Sequence, residues 1–119
     1  MSLILVVEDA AGVAELIAGA LTHLNHEVRV AESASDALTI AEIERFDVIL
    51  LDISLPDASG TSTFDRLRQM RPDVPIIMLT ATADAELARA TLKRGAFDYV
   101  LKPFNLDHLV RMVEAALAS

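Results

Sequence analysis

Short apolar runs that alternate with helix-patterned segments restrict this chain to very few folds. The four compact runs are residues 3–7, 48–53, 74–79 and 99–101. A weaker alternating segment, residues 27–31, is expected to form a fifth strand. Continuous apolar runs of this length are typical of parallel strands that are covered on both faces. The pattern therefore predicts a parallel sheet between two layers of helices.

The segments between the runs have the spacing of amphipathic helices, with apolar side chains at i, i+3, i+4 and i+7. The apolar positions are Val13, Leu16, Ile17, Ala20, Leu21 and Leu24 in the first segment, and Leu106, Leu109, Val110, Val113 and Leu117 in the last. Ser35 and Asn105 are expected to cap the second and fifth helices. Gly60 and Asp84 are expected to open the third and fourth helices, and Gly95 is expected to end the fourth.

The order of these elements, a strand followed by a helix five times over, predicts an α/β fold. The handedness of strand-helix-strand connections arranges it as a (βα)5 flavodoxin-like three-layer sandwich. The expected order of the five-stranded parallel sheet is 2-1-3-4-5. Because 119 residues is close to the commonest size of one domain, residues 1–119 are expected to form a single domain.

Charge and composition exclude several classes of protein. The formal net charge of −8 would repel a phosphate backbone, so no direct binding of nucleic acid is expected. The absence of cysteine excludes disulfide frameworks, thiolate metal sites and cysteine nucleophiles. No apolar run is long enough to span a membrane, and no basic segment precedes the first run, so a cytoplasmic location is expected.

Polar side chains stand at the ends of four of the predicted strands. Glu8 and Asp9 follow the first strand, and Asp52 lies at the end of the third. Thr80 follows the fourth strand and Lys102 the fifth. Because the carboxyl ends of parallel strands meet at one edge of a sheet, we expect the three carboxylates to lie close together. The acidic pair is expected on one side of Asp52, with Thr80 and Lys102 on the other.

Such a cluster of carboxylates predicts a magnesium site. Ionised carboxylates at close range raise one another's pKa unless a cation lies among them. Magnesium prefers oxygen ligands and is usually held by one or two carboxylates together with a phosphate. A carboxylate can attack phosphorus when cations neutralise the phosphoryl oxygens. We therefore expect Asp52 to accept a phosphoryl group while Glu8 and Asp9 hold the metal.

Four sequence segments around these residues carry a family resemblance. They are VVED at 6–9, DVILLDISLPDASG at 47–60, PIIMLTA at 75–81 and GAFDYVLKPF at 95–104. Together and in this order, they resemble the CheY-like receiver domain of two-component response regulators over essentially the whole chain. The resemblance implies the same (βα)5 fold and a role in phosphorelay signal transduction.

The resemblance also implies a set of site residues. Asp52 would receive its phosphoryl group from a phosphohistidine of a sensor histidine kinase or a histidine phosphotransfer protein, or from a small donor such as acetyl phosphate. The implied ligands of Mg²⁺ (or Mn²⁺) are Glu8, Asp9, Asp52 and the backbone carbonyl of Ser54. Thr80 and Lys102 would hold the phosphoryl oxygens. The domain would catalyse only its own phosphorylation and dephosphorylation, so it is not expected to be an enzyme.

A conformational switch is a further implication of the resemblance. Tyr99 would turn inward when the hydroxyl of Thr80 moves toward the phosphoryl group. Helix four, strand five and helix five would then present a changed surface to a downstream effector protein or a fused output domain. Ser54 and Thr82 would tune the lifetime of the phosphorylated state, because they flank the path of the hydrolytic water. The Lys102–Pro103 peptide bond is expected to be cis.

Two positions depart from the family pattern. Ala10 stands where many members have a third acidic residue, which is not a usual metal ligand. Phe97 stands where regulators that dimerise through paired charges usually have aspartate, so a monomer or weak dimer is expected. On the outer face of helix one, the small residues Ala11, Ala14 and Ala18 are expected to let a kinase or phosphotransfer helix approach the acceptor closely.

Two other classes of protein share part of this pattern. A haloacid-dehalogenase-like phosphatase also uses a strand-end aspartate and magnesium, but it needs a second aspartate two residues further on, where this chain has Ser54. A flavodoxin-like electron carrier has the same topology. Its phosphate-binding loop is rich in Ser, Thr and Gly, whereas the corresponding loop here contains Glu8 and Asp9, which would repel a flavin phosphate.

Overall fold

Strands and helices alternate along the chain in the predicted order. The computed structural model describes residues 2–119. Its strands are β1 (Leu3–Val7), β2 (Glu27–Ala31), β3 (Val48–Asp52), β4 (Ile76–Ala81) and β5 (Asp98–Lys102). Its helices are α1 (Ala11–His23), α2 (Ala34–Ile43), α3 (Gly60–Met70), α4 (Ala85–Lys93) and α5 (Leu106–Ala118), and a 3-10 turn, Thr82–Asp84, precedes α4. The sheet is parallel with the order β2-β1-β3-β4-β5, which confirms the predicted topology.

Both faces of the sheet are buried, which explains why the strands are continuous apolar runs. Ile17 of α1 and Leu109 of α5 lie in the core on one face of the sheet. Leu38 of α2, Phe64 of α3 and Ala88 of α4 lie in the core on the other face. All five residues of the central strand β3 are buried. The carboxylate of Asp52, the last residue of β3, therefore lies at the centre of the carboxyl edge of the sheet.

The register of the strands brings their carboxyl ends to one edge of the sheet. Val7 pairs with Leu51, so the residues that follow β1 lie beside the end of β3. The backbone N–H of Glu8 donates to the carbonyl of Ala31 at 3.0 Å, which extends the pairing of β1 with β2 by one residue. Thr80 of β4 pairs with Leu101 of β5. Polar groups from four strands consequently share this edge.

The start of α2 differs from the prediction. Ser33, and not Ser35, is its N-cap, because the backbone is extended at Ser33 and its hydroxyl accepts the N–H of Asp36 at 3.1 Å. Ser35 lies in the first helical turn, where its N–H donates to the carboxylate of Asp57. Ser33 and Ser35 are equally suitable N-cap residues by type, so the sequence does not show which of them caps the helix. The contact of Ser35 with Asp57 joins α2 to a distant loop, and no local pattern predicts it.

The apolar stripe of α1 is narrower than predicted. Its buried residues are Ala14, Ile17 and Leu21. Leu16 is 57% exposed, because it lies about 100° around the helix from Ile17. Leu24 follows the helix and is 41% exposed. The expectation that Ala14 lies on the outer face of α1 is therefore wrong.

The other predicted helix limits agree with the structure. The side chain of Asn105 caps α5 by accepting the N–H groups of Asp107 and His108. Gly60 is the first residue of α3, and Gly95 follows the end of α4 with a φ of 108°. A positive φ of this size favours glycine. Among residues 2–119, no helix has the length and apolar character needed to cross a membrane.

Candidate functional site

Three carboxylates converge at the carboxyl edge of the sheet. Carboxylate oxygens of Glu8, Asp9 and Asp52 all lie within 4.8 Å of one another. Glu8 and Asp52 are buried, at 1% and 4% exposure, whereas Asp9 is exposed. This arrangement follows from the topology, because β1 and β3 are neighbours and both end at this point. The cluster that the sequence predicts is thus present, and it is open to solvent on the side of Asp9.

A lysine ammonium group lies among these carboxylates. The Nζ atom of Lys102, at the end of β5, is 2.6 Å from Oε1 of Glu8 and 2.9 Å from Oδ2 of Asp52. The sequence-based expectation separated Lys102 from the acidic pair, and this was wrong. The buried carboxylate of Glu8 needs a counter-charge, and the long lysine side chain reaches across the site to provide one.

The remaining oxygens of the two buried carboxylates accept backbone hydrogen bonds. Oδ1 of Asp52 accepts the N–H of Ser54 at 3.1 Å, and Oε2 of Glu8 accepts the N–H of Ala10 at 3.1 Å. Each carboxylate therefore has one oxygen bonded to Lys102 and the other to the loop that follows its own strand. These bonds hold both groups in fixed orientations.

Burial and the neighbouring charges shift the pKa of two of these groups. Burial raises the pKa of Glu8 above its usual value, and the neighbouring Asp52 raises it further, while the bonds from Lys102 and Ala10 only partly offset this. Burial alone would lower the pKa of Lys102, but the hydrogen bonds and charges of Glu8 and Asp52 raise it overall. The ammonium group is therefore charged at neutral pH, and the site as a whole has an excess of negative charge.

Gly60 fixes the backbone that carries Asp52. Its N–H donates to the carbonyl of Ile53 at 2.7 Å. A Cβ atom at Gly60 would lie 2.3 Å from the Cα of Ile53 and 2.5 Å from the carbonyl oxygen of Asp52. Helix α3 can begin this close to the end of β3 only because residue 60 has no side chain. Sequence reasoning treated Gly60 as a helix start and missed this close approach.

The other predicted site residues lie in β4, in β5 and in the segments that follow β3 and β4. Thr80 is fully buried, and its hydroxyl donates to the carbonyl of Ala81 at 3.0 Å. Tyr99 is half-buried and packs against the core beneath α2, α3 and α4. Ser54 and Thr82 are exposed at the same edge of the sheet. The Lys102–Pro103 peptide bond is cis.

Comparison with known proteins identifies the family. The model of the response regulator receiver domain matches residues 4–114. The chain belongs to this family. It is thus the receiver domain of a response regulator in two-component signalling.

Relatives of this receiver domain are regulatory proteins. It is 38% identical to the transcriptional regulatory protein KdpE of Staphylococcus aureus, over 95% of this chain and 50% of KdpE. It is 37% identical to the nitrogen assimilation regulatory protein NtrX of Azorhizobium caulinodans, over 96% of this chain and 26% of NtrX. The chain thus spans between a quarter and a half of these relatives.

A solved structure confirms the fold of this receiver domain. The crystal structure of the receiver domain of NtrX from Brucella abortus has a TM-score of 0.93 and 33% sequence identity to the chain. The match covers 98% of each chain. The two proteins therefore share the whole (βα)5 architecture.

Proposed function

We propose that this receiver domain, acting as a single unit, accepts a phosphoryl group on Asp52 in a reaction that depends on Mg²⁺ or Mn²⁺. The observation that carries the proposal is the clustering of Asp52 with two further carboxylates around the partly buried ammonium group of Lys102, which contacts both Asp52 and Glu8. Such a site has a nucleophilic oxygen and a permanent cation at contact distance. Support for the reaction also comes from membership of the response regulator family.

The charges of the cluster fit a divalent cation. Three carboxylates and one ammonium group leave a formal excess of two negative charges when all are ionised. All the available ligands are oxygens, which are the donors that Mg²⁺ prefers. Glu8, Asp9, Asp52 and the backbone carbonyl of Ser54 would hold the ion. When bound, it would supply positive charge to the phosphoryl oxygens.

The chemistry at Asp52 is a displacement at phosphorus. A carboxylate oxygen of Asp52 forms a bond to phosphorus, and the bond between phosphorus and the leaving group of the donor breaks. Lys102 is already 2.9 Å from this carboxylate, so its charge can balance the product without a large movement. The hydroxyl of Thr80 would donate to a phosphoryl oxygen after leaving the carbonyl of Ala81.

The donor in this proposal is a phosphohistidine of a sensor histidine kinase or a histidine phosphotransfer protein. The docking surface would be the outer face of α1, of which Ala11 is exposed and Ala18 partly buried. Ala14 is not part of it, because its side chain is buried. The changed surface of α4, β5 and α5 would act on a downstream effector or a fused output domain. Ser54 and Thr82 would tune the lifetime of the phosphorylated state.

Labelling with a small phosphodonor tests the proposal. Acetyl phosphate with Mg²⁺ should add one phosphoryl group to the intact protein, measured by mass spectrometry. Removal of the metal by a chelator should prevent the addition, and so should Asp52→Asn, which has nearly the same shape but a much poorer nucleophile. Labelling of Asp52→Asn at the rate of the unmodified protein would refute the assignment.

The proposed switch can be followed through the single tyrosine of the chain. Tyr99 is the only tyrosine and there is no tryptophan, so intrinsic fluorescence reports on Tyr99. Mg²⁺ with beryllofluoride, which mimics a phosphoryl group, should change this fluorescence as the ring moves. Thr80→Ala should lose most of the change, whereas Thr80→Ser, which retains a hydroxyl, should keep it. An undiminished change in Thr80→Ala would show that Thr80 does not drive Tyr99.

Metal binding should weaken in mild acid because of Glu8. The pKa of Glu8 is raised in the folded protein, so protonated Glu8 favours the folded state. This contribution to the free energy of unfolding is full below the unfolded pKa of Glu8 and is lost as the pH rises through its folded pKa. Mg²⁺ needs the ionised form, so the rise in melting temperature caused by Mg²⁺ should be large at neutral pH and should shrink on acidification. Thermal melts with and without Mg²⁺ measure this. The Mg²⁺ effect in Glu8→Gln should be smaller and less dependent on pH; identical pH dependence in both proteins would exclude Glu8 as its cause.

A further inference from the structure

The loop between β3 and α3, residues 53–59, is closed at its base. Ser54 and Ser59 form an isolated antiparallel bridge, and the N–H of Gly60 donates to the carbonyl of Ile53 at 2.7 Å. The N–H of Ser54 also donates to Oδ1 of Asp52 at 3.1 Å. The proposed metal ligand from this loop, the carbonyl of Ser54, thus lies at the base of the loop beside the acceptor.

The tip of the same loop is attached to a different part of the molecule. Oδ1 of Asp57 accepts the N–H of Ala34 at 2.9 Å, and Oδ2 accepts the N–H of Ser35 at 3.0 Å. These two hydrogen bonds lower the pKa of Asp57, so the carboxylate is ionised at neutral pH. A negative charge at the first turn of a helix is also favourable. Because both oxygens of the Asp57 carboxylate accept hydrogen bonds from α2, the orientation of the loop is fixed as well as its distance from α2.

The start of α2 is a firm anchor for this loop. Ser33 independently caps the helix by accepting the N–H of Asp36. The preceding strand β2 is tied to the site, because the carbonyl of Ala31 accepts the N–H of Glu8. A continuous set of contacts therefore runs from Glu8 through β2 and the start of α2 to Asp57, and back along the loop to Ser54.

We propose that Asp57 is a positioning residue for magnesium binding. It holds the β3–α3 loop against α2, so that the carbonyl of Ser54 remains beside the carboxylates of Glu8, Asp9 and Asp52. Asp57 itself is exposed and need not touch the ion. This inference rests on the proposed function, because it takes the Ser54 carbonyl to be a metal ligand. Loss of the contact between the loop and α2 should therefore weaken Mg²⁺ binding more than an equivalent loss of hydrogen bonding within α2 does.

A pair of variants separates these two effects. Asp57→Ala removes both loop contacts, whereas Ser33→Ala removes a hydrogen bond from the same helical turn and leaves the loop untouched. Mg²⁺ is titrated into each ¹⁵N-labelled protein, and the amide signals of residues 52–54 are followed by NMR. We expect Asp57→Ala to raise the Kd for Mg²⁺ roughly tenfold, as is usual when a group that orients a metal ligand is removed. Ser33→Ala should keep the Kd of the unmodified protein.

The spectra also show whether each variant is folded. Asp57→Asn retains one acceptor oxygen and should give an intermediate Kd, which keeps the proposal testable if Asp57→Ala unfolds. Equal weakening by Asp57→Ala and Ser33→Ala, or an unchanged Kd in Asp57→Ala and Asp57→Asn, would overturn the positioning role. If the unmodified protein shows no Mg²⁺-dependent shifts at residues 8, 9 and 52, the proposed function itself fails, which is a distinct result.

Discussion

Gly60→Ala should destabilise the folded protein by about 3 kcal/mol or more, at the upper end of the range for overpacking a buried position. The added Cβ atom would lie 2.3 Å from the Cα of Ile53 and 2.5 Å from the carbonyl oxygen of Asp52. Both neighbours are backbone atoms of the central strand and the turn after it, so no side-chain rotation can relieve the overlap. The free energy of unfolding, measured by urea denaturation, gives the size of the effect.

Gly19→Ala provides the matched control for this substitution. Gly19 lies within α1, and a Cβ atom there would have no neighbour within 4 Å. Alanine is favoured over glycine inside a helix by about 0.5–1 kcal/mol, so this variant should be more stable than the unmodified protein. If Gly60→Ala were as stable as Gly19→Ala, the close approach of α3 to β3 would not constrain the site.

Lys102→Met should have the second largest effect on stability, about 2 kcal/mol at neutral pH. The substitution keeps most of the side-chain volume but removes the counter-charge of two buried carboxylates. Breaking a buried ion pair costs about 3–5 kcal/mol, and we expect less here because the Lys102 side chain is 27% exposed and a carboxyl group can take up a proton. The measurement is urea denaturation of the metal-free protein.

The pH dependence of this loss distinguishes charge from packing. Without Lys102, the pKa of Glu8 should rise further, so the protonated and folded form is favoured and the loss of stability should shrink in mild acid. Mg²⁺ should also restore part of the stability. The control is Lys93→Met, because Lys93 is the only other lysine, is exposed, and forms no ion pair with another of residues 2–119. A loss in Lys102→Met that is the same at every pH would indicate lost packing.

Much of the fold was predictable because the apolar pattern has only one simple explanation. Five strand-sized runs separated by helical segments can bury both faces of a parallel sheet in few ways, and the observed strand order is the predicted one. The clustering of Glu8, Asp9 and Asp52 was predictable for the same reason, since each residue is at or just beyond the end of a strand. The topology alone fixes which strand ends are neighbours.

The features that escaped prediction depend on side-chain reach and on contacts between distant segments. Strand order does not show that Lys102 extends across Asp52 to Glu8, because this depends on the burial of Glu8. The contacts of Asp57 with α2 join residues more than twenty positions apart and have no local signal. Whether a glycine such as Gly60 is needed for space depends on three-dimensional packing.

Chemical identification of the modified residue tests the central claim most directly. The protein is incubated with acetyl phosphate and Mg²⁺, treated with borohydride, digested and analysed by tandem mass spectrometry. Borohydride reduces an acyl phosphate to an alcohol with release of phosphate, so a phosphorylated aspartate becomes homoserine. We predict homoserine at position 52, dependent on both Mg²⁺ and the phosphodonor. Homoserine at another aspartate, with Asp52 unchanged, would contradict the account.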